Sequence, residues 1–167
     1  MKLIQWIILA ILDLIIKPTP QPVPVDSDIV QQLLDLHNEY RKRTNLPPLV
    51  LNEKLTNAAQ KHSKWMADHS KMDHSENGVS VGRRVENEGY SWQMIGENIA
   101  AGYTSPHGAF AAWINSPGHK ANILNPNYKD VGFGMVQGYW TADFGRQRNR
   151  FFDIFKVKTC FLPGDKT

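Results

Sequence analysis

Gly96-Glu97-Asn98-Ile99-Ala100-Ala101-Gly102, Trp113-Ile114-Asn115-Ser116-Pro117-Gly118-His119, Asn122-Ile123-Leu124-Asn125-Pro126-Asn127-Tyr128 and Tyr139-Trp140-Thr141-Ala142-Asp143-Phe144-Gly145 follow one another in the second half of this chain. The carboxylate of Glu97 and the imidazole of His119 stand among Gly, Asn and Pro, the residues that turn a backbone sharply. Such wording predicts ionisable groups presented on loop-like segments.

Working outward, a helix is expected to begin near Asp26-Ser27-Asp28, whose short polar side chains suit exposed N–H groups. Ile29, Leu33, Leu36, His37 and Tyr40 continue it at helical spacing, and Arg41, Lys42 and Arg43 stand at its C-terminal end, where cations suit the helix dipole. Asn45-Leu46-Pro47-Pro48 stops it. A second helix is expected from about Glu53, capped by Asn52, to about His69. A polar loop from Lys71 to Ser80 contains His74, and a short helix is expected over Gly82–Glu88. Ser105-Pro106 starts a helix through Trp113, and Ser116-Pro117 repeats that device as a capped turn through Leu124. Val131–Gln137 and Tyr139–Phe144 read as two strands hinged at Gly138. Phe151–Val157 either adds a strand or covers apolar surface.

The chain has 167 residues, enough for one domain with a real core. Its net charge of +3 is unevenly placed: six Lys/Arg against two Asp/Glu from Arg146 onward leave the rest near neutral. A near-neutral domain argues against nucleic acid as its partner. The single cysteine, Cys160, has no intrachain disulfide partner. At the other end, Lys2 precedes an apolar run ending at Ile16, which reads as an export signal or retained anchor. Asp13 interrupts that run, and it falls short of the ~18 residues of a spanning helix. Pro18, Pro20, Pro22 and Pro24 follow as an extended spacer. The organisation expected is a signal or anchor over 1–16, a linker over 17–25, a folded domain over 26–147 and a basic tail over 148–167.

The four phrases resemble the CAP superfamily (cysteine-rich secretory proteins, antigen 5 and pathogenesis-related 1 proteins) in its short bacterial-type form. His37-Asn38-Glu39-Tyr40-Arg41 is similar to that family's opening-helix phrase. The resemblance implies an α/β fold, the CAP α–β–α sandwich with a small antiparallel sheet between helical layers. It also implies that His74, Glu97 and His119 converge in one central cavity where some members hold zinc or another divalent cation. Two imidazoles and a carboxylate are suitable zinc ligands, although spacings of more than twenty residues establish nothing by themselves. Many animal members carry a second carboxylate where this chain has Ser116, which leaves three candidate ligands unless Glu76 or Glu86 swings in. Ser75, Ser116 and Asn98 are expected to line the cavity.

Three readings of these residues remain. In one, the chain is an exported, non-enzymatic binding module, outside the cell or in its envelope, for a lipid or sterol, a glycan or a protein, with membrane association through residues 1–16. In another, Ser75 or Ser116 is a nucleophile, His74 or His119 its base and Glu97 the orienting carboxylate of a cell-envelope hydrolase. Neither serine lies in a nucleophile-elbow phrase, so no residue is assigned as catalytic. A purely structural or host-directed role is the third alternative.

Overall fold

The computed structural model describes residues 26–148; the apolar N-terminal run, the proline-rich spacer, the tail beyond Arg148 and the segment Phe151–Val157 lie outside them. Helix α1 (Ser27–Arg43) is capped by Asp26, whose Oδ1 accepts from the Asp28 and Ile29 N–H groups. Strand β1 (Val50–Leu51) leads into α2 (Glu53–Asp68), capped by Asn52. Then come α3 (Val81–Asn87), β2 (Trp92–Ala101), α4 (Pro106–Asn115), α5 (Pro117–Ile123), β3 (Asp130–Val136) and β4 (Tyr139–Gln147). No helix among them is long and apolar enough to cross a membrane.

The sheet differs in two ways from the antiparallel one expected. Its strand order is β1-β3-β4-β2, and β1 pairs with β3 in parallel, so the sheet is mixed. The phrase containing Glu97 is also the ten-residue edge strand β2, not a loop. Gly, Asn and Ala are poor strand formers, and their neighbours override that preference. β2 pairs with β4 along its inner side, and two of its carbonyls are taken by side chains: Glu97 O accepts from Asn122 Nδ2 at 3.2 Å and Ile99 O from Trp113 Nε1 at 3.1 Å. Donors at those carbonyls also deny the strand to another chain.

Alternation along the strands separates two layers. Val131, Phe133, Trp140, Ala142 and Phe144 join α1, α4 and α5 in the larger core, around the fully buried Trp113. The opposite face carries Gly132, Gly134, Thr141, Asp143 and Glu97 beneath α2; Ser63 of α2 donates to Thr141 Oγ1 at 2.9 Å.

The His37-to-Arg41 phrase serves the scaffold. Asn38 brackets Leu49, accepting from its N–H at 2.8 Å and donating to its carbonyl at 3.0 Å. Arg41 is buried, not a solvated cation at the helix end. It donates to the carbonyls of Pro47 (2.8 Å), Ile123 (2.8 Å) and Asn125 (3.0 Å), tying α1 to the C-terminal end of α5, where carbonyls lack helical partners.

His37 is fully buried, with ring centroids 4.9 Å from Phe110 and Phe133. Its Nδ1 donates to Leu33 O at 2.7 Å while Nε2 has no partner. Burial lowers its pKa from 6.5 to about 4. The unfolded chain therefore takes up a proton below 6.5 that the folded chain refuses, so stability falls with pH across that window. A depression of this size corresponds to roughly 3 kcal/mol once pH is below 4. Urea unfolding at neutral and acid pH should show a His37→Leu chain losing about 3 kcal/mol less than wild type; an equal loss in both excludes His37 as the acid-labile group.

Candidate functional site

Glu97 occupies the middle of β2 on the face covered by α2, with its side chain 2% exposed. A carboxylate so deep requires partners for both oxygens. His74 Nδ1 donates to Oε1 at 2.8 Å, and Arg84 of α3 donates to Oε2 through its terminal NH2 group. His62 Nε2, from α2, lies 3.6 Å from the same Oε2. Burial would raise the Glu97 pKa, but His74, Arg84 and His62 outweigh it and hold the carboxyl below its ordinary value.

The 71–80 loop is shaped to deliver His74. Asp73 accepts from Ser75 N–H at 2.9 Å, and Ser75 Oγ accepts from Gly78 N–H at 2.9 Å. Asn77 and Gly78 both take positive φ, which lets Glu76 and Val79 exchange backbone bonds. Arg84 locks the loop from below, donating to the carbonyls of His74 (2.9 Å) and Val79 (3.1 Å). The result is an imidazole 59% exposed, standing on a buried carboxylate. The hydrogen bond to Glu97 raises the His74 pKa despite partial burial. Since Nδ1 carries the proton given to Glu97, Nε2 is the nitrogen left for a ligand.

A second carboxylate–imidazole pair lies deeper. His62 Nδ1 donates to Glu76 Oε1 at 2.8 Å, and Arg84 Nε stands 3.5 Å from that oxygen. Glu76 thus swings inward, as one alternative for the missing carboxylate required, but it meets His62. Glu86 stays at the surface, 3.5 Å from Arg83. Asp143 sits across the strand pair from Glu97 and is completely buried. Among the described residues, no N–H or O–H of another group reaches either of its oxygens. Burial, and then the charge of Glu97, push its pKa well above the ordinary carboxylate range, which favours the neutral acid with its proton toward Glu97.

Of the expected site residues, the structure brings His74 and Glu97 into contact and leaves His119 bonded to neither. His119 belongs to α5, where its carbonyl accepts from Asn98 Nδ2 at 3.0 Å. Its Nδ1 is buried without a partner, and burial followed by the charge of nearby His74 lowers its pKa. Asn98 is fully buried and also accepts from Asn122 at 2.8 Å, so it braces α5 against β2. Ser116 occupies the N-cap of α5 but makes no side-chain capping bond. Among the described residues, no three His, Cys, Asp or Glu side chains are grouped to hold a metal.

His62, Arg84 and Asp143 escaped the sequence reading. His62 stands at helical spacing within the expected second helix, and Arg84 within the short helix expected over Gly82–Glu88, with no motif to single out either. Asp143 did leave a signal: it is the one acid in Trp140-Thr141-Ala142-Asp143-Phe144, an otherwise core-like strand.

The comparisons bear on the fold and the family. The family model described as "Cysteine-rich secretory protein family" matches residues 34–144. The Bacillus subtilis protein YkwD is 37% identical over 117 residues, 68% of this chain and 46% of YkwD. The human Golgi-associated plant pathogenesis-related protein 1 is 30% identical over 112 residues, 66% of this chain and 62% of that one. Among solved structures, an extracellular protein containing an SCP domain from Bacillus anthracis superposes with a TM-score of 0.70 at 32% identity, covering 74% of this chain and 45% of that one. An outer surface protein of Borrelia burgdorferi shares the fold, with a TM-score of 0.69 at 22% identity over 74% of this chain and 97% of that one. The chain spans about half the length of YkwD and 33% of the B. subtilis membrane protein YlbC. From residue 34 to residue 144 this chain is a member of the CAP family, in its bacterial type.

Proposed function

We propose that this chain is an exported binding module, acting outside the cytoplasm, that takes an oxygen-rich anionic ligand at His74 beside His119. One observation carries the reading: an exposed imidazole is oriented by a buried carboxylate that is itself clamped by Arg84. Once protonated, His74 offers Nε2–H to a carboxylate or phosphate oxygen while Nδ1–H stays on Glu97. Export is supported by the lysine-led apolar run at the N-terminus and by relatives described as extracellular and outer surface proteins.

The test is a proton NMR titration of the histidine ring signals with inorganic phosphate and acetate. Because the His74 pKa is raised, affinity should be greatest in mild acid and decline as pH climbs through that raised pKa. His74→Ala should lower affinity at least about tenfold and flatten the profile, corresponding to roughly 1.4 kcal/mol. Binding that ignores both pH and His74 would rule the reading out.

The His74–Glu97 bond favours one further reading, since a carboxylate-oriented imidazole is also the base of a hydrolytic dyad. That reading lacks a nucleophile in place: Ser75 is tied to Gly78, and neither it nor Ser116 is hydrogen-bonded to an imidazole. Ester and peptide turnover abolished by His74→Ala in a folded chain would select the hydrolase.

A further inference from the structure

Among the described residues, His62 Nε2 near Glu97 has no hydrogen-bond partner, and the two oxygens of Asp143 have none besides Glu97. Each belongs to a side chain with no solvent exposure. His62 is oriented as a metal-ligating histidine would be, with Nδ1–H on the Glu76 carboxylate and Nε2 turned inward. Nε2 lies 3.6 Å from Glu97 Oε2, close to the ~3.4 Å that separates two donors each ~2.1 Å from one tetrahedral ion. Asp143, across the strand pair from Glu97, would supply the third ligand on losing its proton.

One group stands against an ion there. Arg84, only 5% exposed, has its NH2 group on Glu97 Oε2 and its Nε 3.5 Å from Glu76. It holds the lone pair a metal would need and places a permanent positive charge beside the position. In a buried cluster that repulsion is poorly screened.

We infer that Arg84 is the resident cation of this site: it stands in for a divalent metal in the native chain, where His62, Glu97 and Asp143 are not grouped to hold one, and its removal leaves those three free to close on an ion. The implied cavity of His74, Glu97 and His119 then carries no metal, because its one carboxylate already serves His74 and Arg84. The inference concerns the interior of the cluster and holds whatever ligand His74 takes.

Calorimetric titration of the full chain with zinc tests it. Wild type should show no stoichiometric zinc binding. Arg84→Gln should take up one zinc per chain, gain thermal stability when it does, and lose both effects on adding Asp143→Asn. Stoichiometric binding by wild type that disappears in His119→Ala or His62→Ala overturns the inference, as does a folded Arg84→Gln chain that binds no zinc. Should Arg84→Gln fail to fold with or without zinc, the Arg84 side-chain N–H signals of wild type decide. They should be protected from exchange and unmoved by excess zinc; their displacement by zinc overturns the assignment.

Discussion

Gly132→Ala should cost on the order of 4–5 kcal/mol, a large share of the ~5–15 kcal/mol that holds a domain together. A Cβ at Gly132 would stand 2.1 Å from the backbone carbon of Leu55 and 2.1 Å from the amide nitrogen of Thr56. At Gly134 it would stand 2.4 Å from the Ala59 carbonyl carbon. The two glycines let the backbone of α2 rest directly on β3, and main chain has no rotamer with which to retreat. Relief requires α2 to lift, which opens the packing of Leu55 and Ala58 and pulls His62 away from Glu97. Urea denaturation measures the loss. Gly118→Ala is the control, because a Cβ there meets nothing within 4 Å and the residue lies within helix α5. It should be neutral or stabilising by up to about 1 kcal/mol. Similar effects at the two positions would mean that α2 does not rest on β3 through this contact.

That contact also marks what the sequence could disclose. Helix starts were legible because they are local: Asp26, Asn52 and Ser105 each sit one residue ahead of their helix and make the side-chain bond that such residues offer. The β3–β4 turn was legible through Gly138, and Gln137 joins it at positive φ. Ser116 shows the limit of that method, since the same pattern places it correctly at an N-cap where no capping bond forms. β2 was not legible as a strand, because its regularity comes from β4 on one side and from Asn122 and Trp113 on the other. The parallel β1–β3 pairing rests on two residues near Val50 and two near Asp130, a distance no periodicity reports. The site was half legible: family-like phrases pick out His74 and Glu97, whereas Arg84 and Asp143 acquire meaning only from partners far along the chain. His119 carried the motif signal most plainly, yet it bonds to neither of the other two.

The two buried acids at the centre of the site should respond differently to replacement by the amide. Glu97→Gln removes the carboxylate that balances Arg84, leaving the guanidinium its bonds to the His74 and Val79 carbonyls and, as its anionic neighbour, Glu76 at 3.5 Å. Breaking a buried ion pair from one side typically costs ~3–5 kcal/mol, because the remaining charge stays desolvated. The loss should shrink on the Arg84→Met background, where no cation is left uncompensated, and a double-mutant cycle isolates that coupling. Asp143→Asn, across the strand pair, should be neutral or stabilising at neutral pH. Its raised pKa means that the folded chain retains a proton the unfolded chain releases above the ordinary carboxylate range, so ionisation of Asp143 opposes folding as pH rises. An amide removes that penalty while keeping a donor for Glu97. For Glu97 the linkage runs the other way: its lowered pKa contributes stability above the ordinary carboxylate range that is lost as pH falls through the folded value. Unfolding free energies of both variants and wild type at mildly acid and neutral pH decide the matter. If Asp143→Asn is as damaging as Glu97→Gln at neutral pH, Asp143 is ionised in the folded chain. Arg84 would then serve two buried carboxylates, and the proton assigned to their shared bond would be absent.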